Sequence, residues 1–270
     1  MAPDLASRSK LKFIPNLLLN LFQKEYNFNS LLHNKISWRL FYEIAIRGNQ
    51  NELIAVTPRG HSRPIYLRRG TTDITNFVSI FINEEYQFVD SLCQNIVDLG
   101  AYIGISSAYF AAKCPGATIL AVEPSPENYA LCVLNNSSSP NVKIINAAVW
   151  GSSNTLQEHS RNYGHMSVCF EQADDFVSCL DSVKAITVTE LMQSSKINYI
   201  DFLKVDIEGA ERFVFTEPGV NEWLPKVQAM SVEIHESKFP GCNDAVYGSA
   251  KRFGFQESQQ GEYTFFRKQK

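Results

Sequence analysis

The stretch Ile96-Val97-Asp98-Leu99-Gly100-Ala101-Tyr102-Ile103-Gly104-Ile105-Ser106-Ser107 decides the fold. An apolar run passes through an acid, enters a glycine-rich turn and opens a helical pattern. A second apolar run, Ala117-Thr118-Ile119-Leu120-Ala121-Val122, follows and ends on Glu123 and Pro124. Together they read as a βαβ unit with a nucleoside crevice at its strand ends. Glycines let the backbone come close to a ligand, and an acid after the second strand suits two ribose hydroxyls.

Spacing narrows the choice of nucleoside. A dinucleotide cradle uses Gly-x-Gly-x-x-Gly. This chain has Asp98-x-Gly100-x-x-x-Gly104, with no third glycine and an anion beside the turn. That anion repels a diphosphate and attracts an ammonium or a sulfonium. S-adenosyl-L-methionine (SAM) carries an adenosine, both of those cations and no phosphate. A nicotinamide or flavin site and a ligand-free Rossmann-like sheet are the alternatives. On the SAM reading, Gly100, Ala101, Tyr102 and Gly104 form the turn against the cofactor. Asp98 serves the electrostatics of the methionine end, and Glu123 with Pro124 meets the ribose. Asn146 and the Ala147 N–H, at the end of a third strand, read the adenine edge.

The chain has 270 residues, 44% of them hydrophobic, and a net charge of −3. That fits one sizeable α/β domain with an extension. The mild acidity lacks the basic stripe of a polynucleotide binder, so no nucleic-acid partner is expected. Cys93, Cys114, Cys132, Cys169, Cys179 and Cys242 form no Cys-x-x-Cys and no zinc spacing, and they read as free thiols in a reducing cytosol. No secretory leader opens the chain and no early apolar run is long enough to span a bilayer. The expectation is a cytoplasmic protein without membrane attachment.

Residues 1–50 carry apolar positions at helical spacing and read as a helical extension packed on the catalytic domain, or more sharply as a lid or a dimer arm. An oligomer is compatible with that arm. Residues 51–270 read as the catalytic domain. Two short strands joined at Pro58-Arg59-Gly60 precede Thr72 and Asp73, either of which can cap a helix near Ile74. Strands at Ile96–Leu99, Thr118–Val122, Val142–Ile145, Tyr199–Val205 and Lys226–Ile234 then alternate with helices at 103–113, 126–135, 189–193 and 208–215. Residues 151–188 look irregular and polar. A last helix near 245–253 leads into a hairpin ending in Tyr263–Arg267. This alternation predicts a mostly parallel, Rossmann-like sheet with an antiparallel C-terminal hairpin strand.

The string Val97–Gly104 resembles the first motif of class I SAM-dependent methyltransferases. Four further segments are similar to the FkbM-type methyltransferase family: Tyr66–Asp73, Val122–Asn128, Leu203–Glu211 and Val232–His235. The resemblance runs from Ile65 to the C-terminus. It implies a seven-stranded methyltransferase sheet and O-methylation of a hydroxyl on a sugar or natural product, hence a small hydroxylated acceptor. It also implies that Thr72 and Asp73 border the active site instead of only capping a helix.

Methyl transfer to an alcohol needs orientation and a group to take the proton. The fourth strand ends in Asp206-Ile207-Glu208-Gly209, and alternation puts Lys204 and Asp206 on one face. Many amino-methylating DNA enzymes carry Asp/Asn-Pro-Pro-aromatic at this place, and this chain does not. The fifth strand ends in Glu233-Ile234-His235, so Glu233 and His235 also share a face. His235 is read as the base, supported by Glu233, with Asp206 and Glu208 beside it. Glu208 also reads as a first-turn acid on the helix dipole. A divalent cation held by Asp206, Glu233 and His235 is the less favoured alternative, because His suits Mg²⁺ poorly. His159 and His165 lie in the irregular segment, where they could face substrate. His33 and His61 read as structural. An NAD(P)-binding oxidoreductase and a non-catalytic Rossmann-like module remain the rival functions.

Overall fold

Apolar runs bounded by turn residues form the strands of the computed structural model, which describes residues 49–58, 61, 63–153, 155–160, 169–172, 182–216, 218–260 and 263–268. Of the helical extension expected over residues 1–50, residues 1–48 lie outside them. The chain divides into two compact units, with the boundary after Glu85. In the first unit, β1 (Leu53–Val56) and β2 (Ile65–Arg68) form a two-stranded antiparallel sheet, with Leu53 opposite Arg68. Helix α1 (Asp73–Phe77) follows and runs into a π-helical turn over Val78–Ile82.

The second unit is built on a seven-stranded sheet. Its members are β3 (Asn95–Leu99), β4 (Thr118–Val122), β5 (Val142–Ile145), β10 (Ile200–Val205), β11 (Val227–Glu233), β12 (Phe255–Gln260) and β13 (Tyr263–Lys268). They lie in the order β12-β13-β11-β10-β3-β4-β5. Only β13 runs against the rest, so the expected mostly parallel sheet with one antiparallel hairpin strand is what forms. The central strands are continuous apolar runs because both faces are covered. Val97, Leu99, Leu120, Val122, Leu203, Val205, Met230 and Val232 belong to one buried core.

Helices α2 (Ile105–Lys113) and α3 (Pro126–Asn136) follow β3 and β4. Ser125 caps α3, accepting from the Asn128 N–H, and Pro126 takes the first helical position, where its missing N–H costs nothing. The segment read as irregular is more ordered than its polarity suggests. There, β6 (Ala148–Val149), β7 (Thr155–Ser160), β8 (Cys169–Gln172) and β9 (Ser182–Ile186) form a four-stranded sheet in the order β6-β9-β7-β8. Helix α4 (Val188–Ser195) starts on a capping box between Thr187 and Glu190. Two short helices, α5 (Glu211–Val214) and α6 (Val220–Trp223), and then α7 (Cys242–Arg252) complete the unit. Among the described residues, no helix is long and apolar enough to cross a membrane.

Candidate active site

The strand order places the crevice. The chain moves outward from β3 to β4 and β5, then returns to lay β10 on the other side of β3. The carboxyl ends of β3 and β10 are therefore a topological switch point, where open α/β sheets bind ligands. The two ends are tied by a hydrogen bond from Asp206 N to Leu99 O of 3.0 Å. The turn after β3 folds over β4, with the N–H groups of Gly100 and Ala101 both donating to Val122 O at 3.0 Å.

The glycines of this turn answer to the chain itself. Gly100 has φ +75°, and a Cβ there would lie 1.7 Å from the Asp206 carbonyl oxygen. Gly104 caps α2 with φ +79°, and its Cβ would meet Asn136 Nδ2 at 2.4 Å and Cys132 Sγ at 2.6 Å. Both were expected to make room for a ligand. In the structure they admit the end of β10 and the packing of α2 on α3.

Glu123 is buried and clamps the turn to the end of β4. Its Oε2 accepts from Tyr102 N and its Oε1 from Ser125 N, each at 2.9 Å. Burial pushes its pKa up to about 7, against the downward pull of those two bonds and of Asn128. Oε1 also accepts from Asn128 Nδ2 at 3.5 Å, which fills its two lone-pair sites, so Oε2 is the oxygen with room for a ribose hydroxyl. Asn146 donates its amide N–H groups to the carbonyls of Glu123 and Pro124, at 2.9 and 3.0 Å, and so shapes the same loop. Ala147 and Ala101 are buried.

Asp98 is fully buried, and the reading of it as a free anion for a ligand cation needs correcting. Its Oδ2 accepts from the hydroxyls of Ser106 and Ser107, both at 2.6 Å. Its Oδ1 faces Lys204 Nζ at 3.3 Å, because the parallel register sets Lys204 directly opposite Asp98. Lys204 also donates to Gly100 O at 2.8 Å and lies 3.6 Å from Asp206 Oδ2. Burial alone would depress the Lys204 pKa, but Asp98 and Asp206 outweigh it and raise it. A charged ammonium thus joins the turn of β3 to the acids that end β10.

Those acids surround His235, which is 7% exposed. Nδ1 of His235 lies 3.0 Å from Glu211 Oε1. Nε2 lies 3.5 Å from Glu208 Oε2 and 3.9 Å from both Asp206 Oδ1 and Glu233 Oε1. Burial presses the imidazole pKa down, but the Glu211 bond and charge, then Glu208 and Asp206, push it up to about 9 from 6.5. At neutral pH the ring holds a proton on each nitrogen and has no lone pair to offer, which corrects the reading of His235 as a free base. Its supporting carboxylate is Glu211, not Glu233.

Glu208 does not open a helix. It sits at φ +52° in the turn before α5, and Glu211 takes the first-turn position. Burial raises the Glu208 pKa, and neighbouring Asp206 raises it further, although His235 and Lys238 oppose both. Lys238 Nζ donates to Glu208 Oε2 at 3.1 Å. A ligand atom from each of Asp206, Glu208 and His235 lies within 4.8 Å of the others. Two carboxylates and an imidazole are donors a divalent metal accepts, and an imidazole donating its other N–H to a carboxylate is the usual surrounding of a metal-bound histidine.

Glu211 was not singled out from sequence. It is fully buried, and its Oε1 also accepts from the N–H groups of Ile207 and Gly209 at 3.3 Å. The third acid in Asp206-Ile207-Glu208-Gly209-Ala210-Glu211 was the available signal. Thr72 and Asp73 belong to the first unit. There Asp73 is fully buried and grips Arg68 through the backbone N–H, Nε and Nη2 at 2.8–3.0 Å. Thr72 makes no side-chain cap; the Thr71 hydroxyl accepts from Asp73 N instead. His61 stacks edge-on against Phe81. His33, His165 and the side chain of His159 lie outside the described residues.

The family model for the methyltransferase FkbM domain matches residues 98–257. The match spans more than half of the sequence, and the chain belongs to that family. No curated protein matches it. Solved structures similar to it include a putative caffeoyl-CoA O-methyltransferase from Staphylococcus aureus, at 12% identity over 94% of this chain and 98% of that one, TM-score 0.42. A precorrin-6y C5,15-methyltransferase from Geobacter metallireducens is 9% identical over 68% of this chain and 86% of that one, TM-score 0.40. The N-terminal domain of EvdMO1, with SAH and D-fucose, is 12% identical over 69% and 82%, TM-score 0.37.

Proposed function

We propose that this methyltransferase moves a methyl group from SAM to a hydroxyl of a sugar or other small hydroxylated natural product. The observation that carries the reading is the group of acids at the end of β10, joined through Lys204 to the turn of the cofactor motif. The residues present fit SAM. Glu123 Oε2 has acceptor capacity left for a ribose hydroxyl, and Lys204 balances the Asp98 charge beneath the turn. When bound, SAM supplies an electrophilic methyl group. The chain's own work is to orient the acceptor and remove its proton. Glu208, with its raised pKa and its place at the edge of the cluster, takes that proton as the hydroxyl oxygen gains the methyl. The His235 imidazolium and Lys238 hold Glu208 in place and temper its charge.

The three converging donors of Asp206, Glu208 and His235 support a second reading, in which a divalent cation replaces the proton on His235 Nε2. Such an ion lowers the pKa of a bound hydroxyl and orients it. Labelled SAM incubated with a panel of hydroxylated sugars and small molecules, with and without chelator, tests both readings. Methylated product insensitive to chelator, and at least about 10²-fold less of it with Glu208→Gln, supports proton transfer to Glu208. Loss with chelator and recovery with Mg²⁺ or Mn²⁺ supports the cation. Methylation confined to amines or carbon would overturn the hydroxyl assignment.

A further inference from the structure

A groove of about 420 Å³ runs along α7 and the end of α5, a volume in the range of small-molecule sites. None of Asp206, Glu208, Glu233 and His235 lines it, so it is a place apart from the acid cluster. Its walls carry two cations, Arg212 from α5 and Arg252 from the last turn of α7. Gly241, Ala245 and Gly248 line it with little or no side chain, and Asp244 is its acid. Asp244 lies in the first turn of α7, where a negative charge suits the helix dipole. The N-terminus of α7 is itself capped, with Gly241 N and Asn243 N donating to Glu236 at 3.1 and 2.7 Å. The groove's free donors are therefore sought on its arginines and not on the helix end.

Arg212 supplies them. The residue is half-buried, and its Nε is buried with no hydrogen-bond partner among the described residues. No described carboxylate forms an ion pair with it. What holds it is aromatic: Cζ lies 4.6 Å from the centre of the Phe213 ring and 5.5 Å from that of Phe239. Phe213 in turn stacks on Trp150, with centroids 4.3 Å apart. Stacking orients a planar guanidinium without using its donors or cancelling its charge. Arg252 is oriented by a neutral acceptor, with Nη2 donating to Asn221 Oδ1 at 2.7 Å. A buried donor left unsatisfied is costly, so this arrangement calls for an acceptor from outside the chain. The two arginines are forty positions apart, and no local motif announces the pair.

Gly248 is the second sign of a ligand. Glycine inside a helix is unfavourable, because it loses more backbone freedom than any other residue. Packing does not require it here, since a Cβ at Gly248 would meet nothing within 4 Å. Its missing side chain leaves room in the groove. We propose that the groove binds a phosphate group, free or esterified to a small molecule, on the guanidinium of Arg212 with Arg252 as the second cation. A guanidinium presents paired N–H donors that match phosphate oxygens. A phosphate monoester carries about −1.5 to −2 charges at pH 7 and so draws on both guanidiniums, where a carboxylate would occupy one.

Calorimetric titration of the full chain with inorganic phosphate and with glucose 6-phosphate tests the site. Each should bind saturably at one site per chain, and more weakly as salt is raised. Arg212→Met should weaken binding at least about 10-fold, the scale of a lost charge-assisted pair, and Arg252→Met should weaken it too. Arg212→Lys keeps the charge and loses the planar fork, so it should recover only part of the affinity. Tighter binding of the ester assigns the phosphate to a phosphorylated small molecule, and equal binding assigns it to the free ion; both uphold the site. Absence of saturable binding by either probe, or binding that a folded Arg212→Met leaves unchanged, would overturn it. Should Arg212→Met fail to fold, Gly248→Leu fills the groove from a position with open space around it. That variant should exclude glucose 6-phosphate, and undiminished binding would overturn the proposal. The titration needs no methyl acceptor, so it stands or falls apart from the proposed activity.

Discussion

Replacing Glu211 with Gln removes a charge from beneath His235 and keeps the shape of the site. The Gln oxygen can still accept from Ile207 N, Gly209 N and His235 Nδ1, so the turn before α5 is retained. What disappears is the strongest opponent of burial in setting the His235 pKa. An imidazole raised from 6.5 to about 9 favours the charged ring by about 3 kcal/mol, at about 1.4 kcal/mol per pH unit. A hydrogen bond to a charged acceptor exceeds one to a neutral acceptor by about 1–2 kcal/mol. Glu211→Gln should therefore lower the His235 pKa by about 0.7–1.5 pH units. The linkage has a definite sign. A folded pKa above the unfolded one adds stability that is complete below about pH 6.5 and is lost as pH rises through about 9. In the variant that loss should be finished roughly one unit earlier, and at pH 6 the variant should be less stable by about 1–2 kcal/mol. NMR titration of the His235 ring protons in chelator, together with urea unfolding at pH 6 and pH 10, measures both effects. A His235 that titrates near 6.5 in the wild type, or at one pKa in both proteins, would refute the reasoning.

Other substitutions separate structural from functional roles. Gly100→Ala forces a methyl group 1.7 Å from the Asp206 carbonyl at φ +75°. It should cost about 3 kcal/mol or more, a fold defect visible in urea unfolding and not only a loss of ligand; a variant as stable as the wild type would return Gly100 to a purely ligand-facing role. Asp73→Asn breaks the buried pair with Arg68 and should cost about 2–4 kcal/mol in the same assay, an effect on stability that an unchanged melt would contradict.

The fold was legible because its strands are apolar on both faces and its punctuation is local. Ile96–Leu99 and Thr118–Val122 end on an acid at their turns, and Ser125-Pro126 announces α3 without any tertiary information. Chemistry at the strand ends was less legible because it depends on register between strands distant in sequence. Lys204 was seen to share a face with Asp206, but nothing local to either strand says that β10 sets Lys204 opposite Asp98. The Asp98 charge was therefore assigned to a ligand when the protein itself neutralises it. The start of α5 was misplaced because Glu208 and Gly209 both adopt positive φ, which shifts the first-turn acid to Glu211. The resemblance set Asp73 at the border of the active site, and what no local pattern showed is its buried partner Arg68, five residues earlier.

The measurement that bears most directly on the central claim is calorimetric titration of the wild type and Glu123→Ala with SAM, at pH 8 and pH 6. The wild type should bind one SAM per chain and no NAD. Its affinity should be lower at pH 6, because Glu123, with a pKa of about 7, must be ionised to present a charged Oε2 to a ribose hydroxyl. Glu123→Ala, folded by its unfolding curve, should bind about 10- to 100-fold more weakly at pH 8, the equivalent of about 1.5–3 kcal/mol for a charge-assisted contact. Equal affinity in the two proteins, or a folded wild type that binds NAD and not SAM, would contradict the account.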